Sequence, residues 1–169
     1  MSEFQEETED EISIDECEYL YFSTVDGKEF DVPFKIAKVS KYFQPLIEDC
    51  AYDENEKNYI PLGQDIDSDL FIHILNFMEH YSKEPMVEIP KPINSTNMIS
   101  MVGDWYGTFI TSFDEEMLMK IINASNFLYI QPLLDLGCAQ VATMIRQKTP
   151  DEIRDIFIVN NEENKDSST

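Results

Sequence analysis

The sequence predicts a helix-rich α+β protein, on two observations: one strand–turn–strand pattern, and apolar side chains recurring at the helical period. Residues 19–25 are rich in aromatic and β-branched side chains, Asp26-Gly27 is a hairpin turn signal, and residues 28–32 form the return strand. A third short strand is predicted at residues 59–62, where Pro61 favours an edge position. These patterns support the class, α+β and rich in helix, and no more specific fold.

Helix start signals follow the predicted hairpin. Pro33 suits the start of a short helix over residues 34–39, and Ser40 is a candidate cap for the next helix, through Ile47. Asp67 or Ser68 is expected to cap a longer helix that ends near Ser82. Its apolar stripe consists of Leu70, Phe71, Ile74, Leu75, Met78 and Tyr81.

Residues 114–154 indicate three helices joined by short connections. Asp114 is a good N-cap, and Phe113 and Leu118 stand at the positions of a hydrophobic staple. The first stripe is Leu118, Ile121, Ile122, Ser125 and Leu128. After a break at residues 129–132, the second predicted stripe is Leu134, Cys138, Val141, Ala142 and Ile145. Thr149 and Glu152 then form a capping-box pattern that opens the third helix.

Composition and charge indicate how the chain is divided. Residues 1–18 contain nine Asp and Glu and no Lys or Arg, which predicts a disordered acidic arm. The core is expected at 19–130, with a flexible loop at about 84–101, and further helices at 131–159 precede a disordered tail at 160–169. The formal net charge of −22 disfavours nucleic acid and anionic membrane surfaces as partners.

The sequence contains no pattern typical of a catalytic or metal site. The chain has three cysteines, Cys17, Cys50 and Cys138, and their spacing is not that of metal ligands. An odd number of cysteines without such spacing favours a reducing cytoplasmic or nuclear setting. Cys138 falls on an apolar stripe and is expected in the core. His73 and His80 are seven residues apart on one predicted helix, roughly 10 Å, too far for a shared metal ion. Asp65, Asp67 and Asp69 resemble the start of a calcium loop, but the later ligand positions are wrong. We therefore expect no enzyme, cofactor or metal.

Four segments in order resemble the Skp family, the S-phase-kinase-associated adaptors of SCF ubiquitin ligases. They are residues 124–130 (ASNFLYI), Leu133-Leu134-Asp135, residues 141–145 and residues 148–154 (KTPDEIR). The resemblance implies a BTB/POZ fold for the core, which is a small three-stranded sheet with surrounding helices, and a C-terminal helical extension that binds F-box proteins. It also implies an adaptor that bridges a cullin to substrate receptors and performs no catalysis.

The resemblance also implies two contact surfaces. Phe127 and Tyr129 flank the predicted buried Leu128, and with Asn126 they become candidate cullin contacts. The last helix is too apolar for a solvated chain end, so it either folds back or docks a partner. The candidate F-box contacts are Val141, Ile145, Ile153, Ile156, Phe157 and Ile158.

The chain departs from the family after residue 157. Relatives continue with an Asn-Asp-Phe turn, an acidic helix and a Trp-Cys ending, so one helix of the F-box clasp is expected to be absent here. Four alternatives stay open: an elongin C-like adaptor, a structural kinetochore subunit, a self-associating BTB protein and an enzyme of unfamiliar type. The extra helices through Arg154 argue against the first. Homodimerisation through the apolar C-terminal face is expected when no F-box is present.

Overall fold

The computed structural model describes residues 19–48, 58–63 and 65–155 of the chain. The predictions of an acidic arm at 1–18 and a tail at 160–169 lie outside the described residues. So do Cys17, Cys50 and three candidate F-box contacts, Ile156, Phe157 and Ile158.

A three-stranded sheet forms one side of the core, as the strand patterns predict. The strands are β1 (Tyr19–Ser23), β2 (Glu29–Pro33) and β3 (Ile60–Pro61), in the order β2-β1-β3. β1 pairs with β2 antiparallel and with β3 parallel, which places Pro61 on an edge strand. Leu20 pairs with Val32, and both are buried, so this face of the hairpin belongs to the core.

Seven helices are assigned in the described region. They are α1 (Phe34–Ala37), α2 (Gln44–Glu48), α3 (Ser68–Lys83), α4 (Met98–Val102), α5 (Asp104–Thr111), α6 (Glu115–Phe127) and α7 (Gln131–Arg146). Residues 150–155 are helical as well. The predicted caps are confirmed: Asp67 accepts from the Leu70 amide and Asp114 from the Met117 amide, each at 2.8 Å. Among the described residues, no helix is long and apolar enough to cross a membrane.

Asp26 joins the hairpin turn to the start of α3. Its carboxylate accepts hydrogen bonds from the Ser68 amide at 2.9 Å and from the Ser68 hydroxyl at 2.6 Å. The bond from that hydroxyl is the main reason why the pKa of Asp26 falls to about 2. The turn residue that a hairpin motif favours therefore also sets the position of α3, a helix of 16 residues.

The predicted loop at 84–101 is wrong at its C-terminal end, because Met98–Val102 form α4. Asn97 caps this helix, and Met98 and Val102 are buried. At the other end, the Tyr106 hydroxyl donates to the Glu84 carbonyl at 2.5 Å. Burial is the largest of the effects that raise the pKa of Tyr106 to about 12, so the hydroxyl stays a donor even in alkaline solution.

The predicted buried stripe of α7 is also wrong. The side chains that face the core are instead Leu133, Leu136, Gly137, Ala139 and Thr143. Cys138 is an exposed free thiol, not a core residue. The reason lies in helix packing, because a Cβ atom at Gly137 would lie 2.6 Å from Cγ1 of Ile122 on α6. The face with glycine allows the closest approach of α6 and α7, and the more voluminous apolar face is left outward.

Gly107 of α5 tests whether a glycine is needed where two helices come into close contact. A Cβ atom there would lie 2.6 Å from the backbone N and Cα of Ile99 on α4, and these atoms cannot move aside as a flexible side chain would. We expect Gly107→Ala to lower the free energy of unfolding by about 1–3 kcal/mol, although alanine favours helix by about 1 kcal/mol. Urea unfolding measures the difference. Thr108→Ala, at an exposed position of α5, is the control and should cause little change; equal stability of both variants would contradict the prediction.

Candidate protein-binding surfaces

Three exposed aromatic side chains lie on the surface at or next to the C-terminal end of α6. Tyr42, Phe127 and Tyr129 are 39%, 47% and 64% exposed, and we call them the aromatic patch. The ring centroids of Tyr42 and Phe127 are 5.3 Å apart. Asn126 is exposed on the same turn. The three candidate cullin contacts therefore all lie on the surface, beside Tyr42, which the sequence analysis did not select.

A tight C-terminal turn of α6 directs these side chains outward. The Ile130 amide donates to the Ser125 carbonyl at 2.9 Å, and the Tyr129 amide donates to the Asn126 carbonyl at 3.2 Å. This pair of bonds is the Schellman motif, which requires a left-handed residue at the position of Tyr129. Tyr129 has a φ of 51°, and the turn leaves Leu128 buried and Tyr129 on the surface.

Two further hydrogen bonds hold Tyr42 close to this turn. The buried Ser40 hydroxyl donates to the Leu128 carbonyl at 2.6 Å. The Lys41 amide donates to the Tyr129 carbonyl at 3.3 Å. Ser40 was predicted to cap the next helix, and this is wrong because α2 begins only at Gln44. Its hydroxyl instead accepts from the Phe43 amide at 3.3 Å in the turn before that helix. Its additional bond to Leu128 connects segments 88 residues apart, which no local pattern shows.

An apolar cleft of about 240 Å³ adjoins the aromatic patch. It is lined by Leu62, Gly63, Asp65, Ile66, Lys120, Asn123, Ala124 and Phe127. Gly63 has a φ of +99°, and a Cβ atom there would be 3.8 Å from the Phe127 ring. Phe127 therefore stands between Tyr42 and the cleft, with its exposed side available to a partner.

Substitutions at Tyr129 can separate two effects: the backbone strain of the turn, and the contribution of the tyrosine ring to partner binding. Left-handed backbone costs a residue with a Cβ atom about 1–2 kcal/mol, and glycine avoids this cost. We expect Tyr129→Gly to be about 1 kcal/mol more stable to urea than Tyr129→Ala, its matched control, because both lack the ring. Both variants should lose partner affinity equally. A Gly variant less stable than the Ala variant would contradict the geometry of the turn.

The second surface lies along the outward side of α7. We call it the carboxyl-terminal face and define it by Leu134, Cys138, Val141, Ala142 and Ile145. Cys138 is exposed and the other four are half-buried. Of the three described candidate F-box contacts, Val141 and Ile145 belong to this face, and Ile153 lies in the helical segment that follows α7; all three are half-buried and keep part of their apolar surface in solvent.

A capping box and one ion pair hold the end of this face in place. Glu152 Oε2 accepts from the Thr149 amide at 2.7 Å and from the Thr149 hydroxyl at 2.8 Å. The backbone bond of Thr149 is the largest cause of the lowered pKa of Glu152. Lys148 Nζ lies 3.4 Å from Glu115 Oε1 at the start of α6. Since the end of α7 thus meets the beginning of α6, the two helices form an antiparallel pair.

The two histidines lie among aromatic rings. His80 stacks on Trp105 with centroids 3.8 Å apart, and His73 meets Phe113 edge to face at 4.8 Å. Among the described residues there is no group of three His, Cys, Asp or Glu side chains arranged to hold a metal ion. Asp67, one of the three aspartates that mimic a calcium loop, caps α3 instead.

Comparison with known protein families decides the relationship. A family model described as "Skp1 family, tetramerisation domain" matches residues 18–83, and one described as "Skp1 family, dimerisation domain" matches residues 131–167. This chain belongs to the Skp1 family. The first match spans the sheet through α3 and the second begins at α7, so the α+β core has the BTB/POZ fold followed by the family's C-terminal helices.

Individual relatives of the Skp1-family chain match over most of its length. The "S-phase kinase-associated protein 1 homolog" of Tetrahymena thermophila is 34% identical over 82% of this chain and 81% of its own. The "E3 ubiquitin ligase complex SCF subunit sconC" of Emericella nidulans is 33% identical over 85% of each chain. The "Suppressor of kinetochore protein 1" of Schizosaccharomyces pombe is 35% identical over 81% of this chain and 83% of its own.

Proposed function

We propose that this protein is the adaptor subunit of an SCF-type cullin–RING E3 ubiquitin ligase. The aromatic patch binds the amino-terminal region of a cullin, and the carboxyl-terminal face binds the F-box of a substrate receptor. Membership of the Skp1 family and the name of the fungal SCF subunit support this proposal. The adaptor carries out no chemistry of its own and uses no cofactor; other subunits transfer ubiquitin.

One observation carries the proposal: the α6–α7 pair presents two separate apolar surfaces. The aromatic patch lies where α6 ends and α7 begins, whereas Ile145 lies near the far end of α7. Fifteen residues of helix from Ile130 to Ile145 correspond to about 20 Å. Two partners can therefore bind at the same time without sharing contacts.

The mechanism is rigid positioning. Gly137 permits close contact between α6 and α7, and the Lys148–Glu115 pair joins their far ends. A receptor bound at the end of α7 is thus held at a fixed distance from a cullin bound at the turn. Exposed aromatic side chains, and apolar side chains that a partner covers, are the groups that contribute most to interface affinity.

Reconstitution from purified components tests the proposal. The full chain is mixed with a cullin amino-terminal fragment and an F-box peptide, both from the same organism, and analysed by size-exclusion chromatography with light scattering. We expect one complex containing one copy of each. Binding of neither partner overturns the proposal, and binding of only one overturns the bridging role. Fluorescence microscopy of the tagged chain tests our further proposal that it acts in cytoplasm and nucleus.

A second candidate is a structural role at the kinetochore. Its support is the relative named "Suppressor of kinetochore protein 1". Affinity purification of the full chain with mass spectrometry separates the two roles: F-box proteins dominate for an SCF adaptor and centromere proteins for a kinetochore subunit. Sedimentation of the pure chain tests self-association through the carboxyl-terminal face.

A further inference from the structure

Three exposed lysines form a stripe on the segment that contains α1. Lys35, Lys38 and Lys41 are three residues apart and all exposed. Between them the backbone closes i to i+3 bonds, from Val39 to Ile36 at 3.1 Å and from Ser40 to Ala37 at 3.0 Å. Such 3₁₀-type turns place every third side chain on one side.

The opposite side of the same segment is buried at the same spacing. Ala37, Ser40 and Phe43 are each 0% exposed. Burial of that face holds the segment in one orientation, so the three lysines stay together on the surface. We call Lys35, Lys38 and Lys41 the lysine stripe.

The lysine stripe is a positive cluster on a strongly negative protein. The chain has 34 acidic and 12 basic residues. In the part of the chain that the structure describes, the ion pairs of lysine and arginine use Lys83, Lys120, Lys148 and Arg154. None of the three stripe lysines takes part in these pairs. The stripe therefore suits an acidic segment.

The geometry of the sheet brings such a segment to the stripe. Tyr19 begins β1 and pairs with Pro33, the residue directly before α1. The preceding eighteen residues, with nine carboxylates and no Lys or Arg, therefore join the described fold beside the start of the stripe. Their extended length, at most about 60 Å, far exceeds the roughly 10 Å that the stripe spans.

We propose that residues 1–18 dock on the lysine stripe of the same chain. Tethering places the carboxylates at an effective concentration on the order of millimolar, so the chain's own segment outcompetes a dilute acidic partner. The stripe ends at Lys41, whose amide bonds to the Tyr129 carbonyl, so the docked segment lies directly beside the aromatic patch. It therefore competes with the cullin there, a consequence that rests on the proposed function.

Zero-length cross-linking of the full chain tests the docking. A carbodiimide joins lysine amines only to carboxylates in direct contact, and mass spectrometry identifies the pairs. We expect residues 3–18 to couple to the stripe about tenfold more than to Lys28 and Lys91, which are also exposed. At 1 M salt, where the screening length is about 3 Å, the stripe's yield should fall severalfold. Equal coupling to all exposed lysines overturns the proposal.

Two further measurements complete the test. The first uses an equal mixture of ¹⁴N and ¹⁵N protein, in which the two peptides of a cross-link within one chain carry the same label. If most cross-linked pairs instead joined a ¹⁴N peptide to a ¹⁵N peptide, the segment would dock on a second copy, and the proposal would be overturned.

The second measurement changes the nine carboxylates of residues 1–18 to amides. This variant should bind the cullin severalfold more tightly and bind the F-box with unchanged affinity. Unchanged cullin affinity overturns the competition. If wild type and variant both fail to bind the cullin, the proposed function fails while the cross-links still decide the docking.

Discussion

Replacing Val141 and Ile145 together by aspartate is expected to weaken F-box binding more than a hundredfold. Both side chains are half-buried on the carboxyl-terminal face, and covering an apolar side chain of this size contributes about 1.5–3 kcal/mol. The two new carboxylates stay partly solvated in the free chain but lose water under a bound F-box, which adds a further cost. Isothermal titration calorimetry with the F-box peptide measures the change.

Retained cullin binding distinguishes a lost contact from a lost fold. The same variant should bind the cullin fragment with unchanged affinity, because Val141 and Ile145 lie about 16 and 22 Å along α7 from the turn that carries the aromatic patch. The matched control is Ile72→Asp with Ile99→Asp, two isoleucines 42% and 43% exposed on other helices. Nearly normal F-box affinity of the Val141/Ile145 variant would exclude the carboxyl-terminal face as the receptor site.

Phe127→Ala is expected to weaken cullin binding about thirtyfold, which corresponds to about 2 kcal/mol. The ring is 47% exposed, packs on Tyr42 and lies at the edge of the apolar cleft, so a partner can bury it fully. F-box binding should stay unchanged. Surface plasmon resonance with the immobilised cullin fragment measures the effect, and Val87→Ala, a 58% exposed position elsewhere, is the control.

A double-mutant cycle with Tyr42→Ala tests whether the aromatic patch acts as a unit. Because the two rings are in contact, the losses from Tyr42→Ala and Phe127→Ala should not add, with a coupling of about 0.5–1.5 kcal/mol. If the Phe127 variant unfolds normally in urea and binds the cullin with full affinity, the aromatic patch is not part of the cullin interface. Cullin binding would then be supported by the family relationship alone.

Much of the local structure could be predicted because its causes are local. Asp114 caps α6 through an amide three residues away, and Thr149 and Glu152 form their capping box over the same distance. The Asp26-Gly27 turn lies in the short loop between Ser23 and Glu29, which pair with each other across the hairpin. In each case the partners are so close along the chain that residue type and spacing specify the bond.

The missed elements have nonlocal causes. Met98–Val102 follow a run of Pro, Ser and Asn, and their short helix is held by burial of Met98 and Val102 and by Gly107 of α5. Cys138 fits an apolar period on α7, yet it is exposed because the helix turns its glycine-containing face to Ile122. Periodicity shows that α7 has apolar positions; it does not show which of two apolar faces meets α6.

By itself the sequence determined the hairpin, the starts of α3, α6 and the helix after Thr149, and the burial of Leu128 between Phe127 and Tyr129, since these follow from hydrogen bonds and side-chain direction within a few residues. The tertiary structure alone decided which face of α7 stays uncovered, that Tyr42 joins Phe127 across 85 residues, and that the lysine stripe begins where β1 begins. These depend on packing between distant segments, where shape and volume choose among alternatives that the local pattern leaves equal.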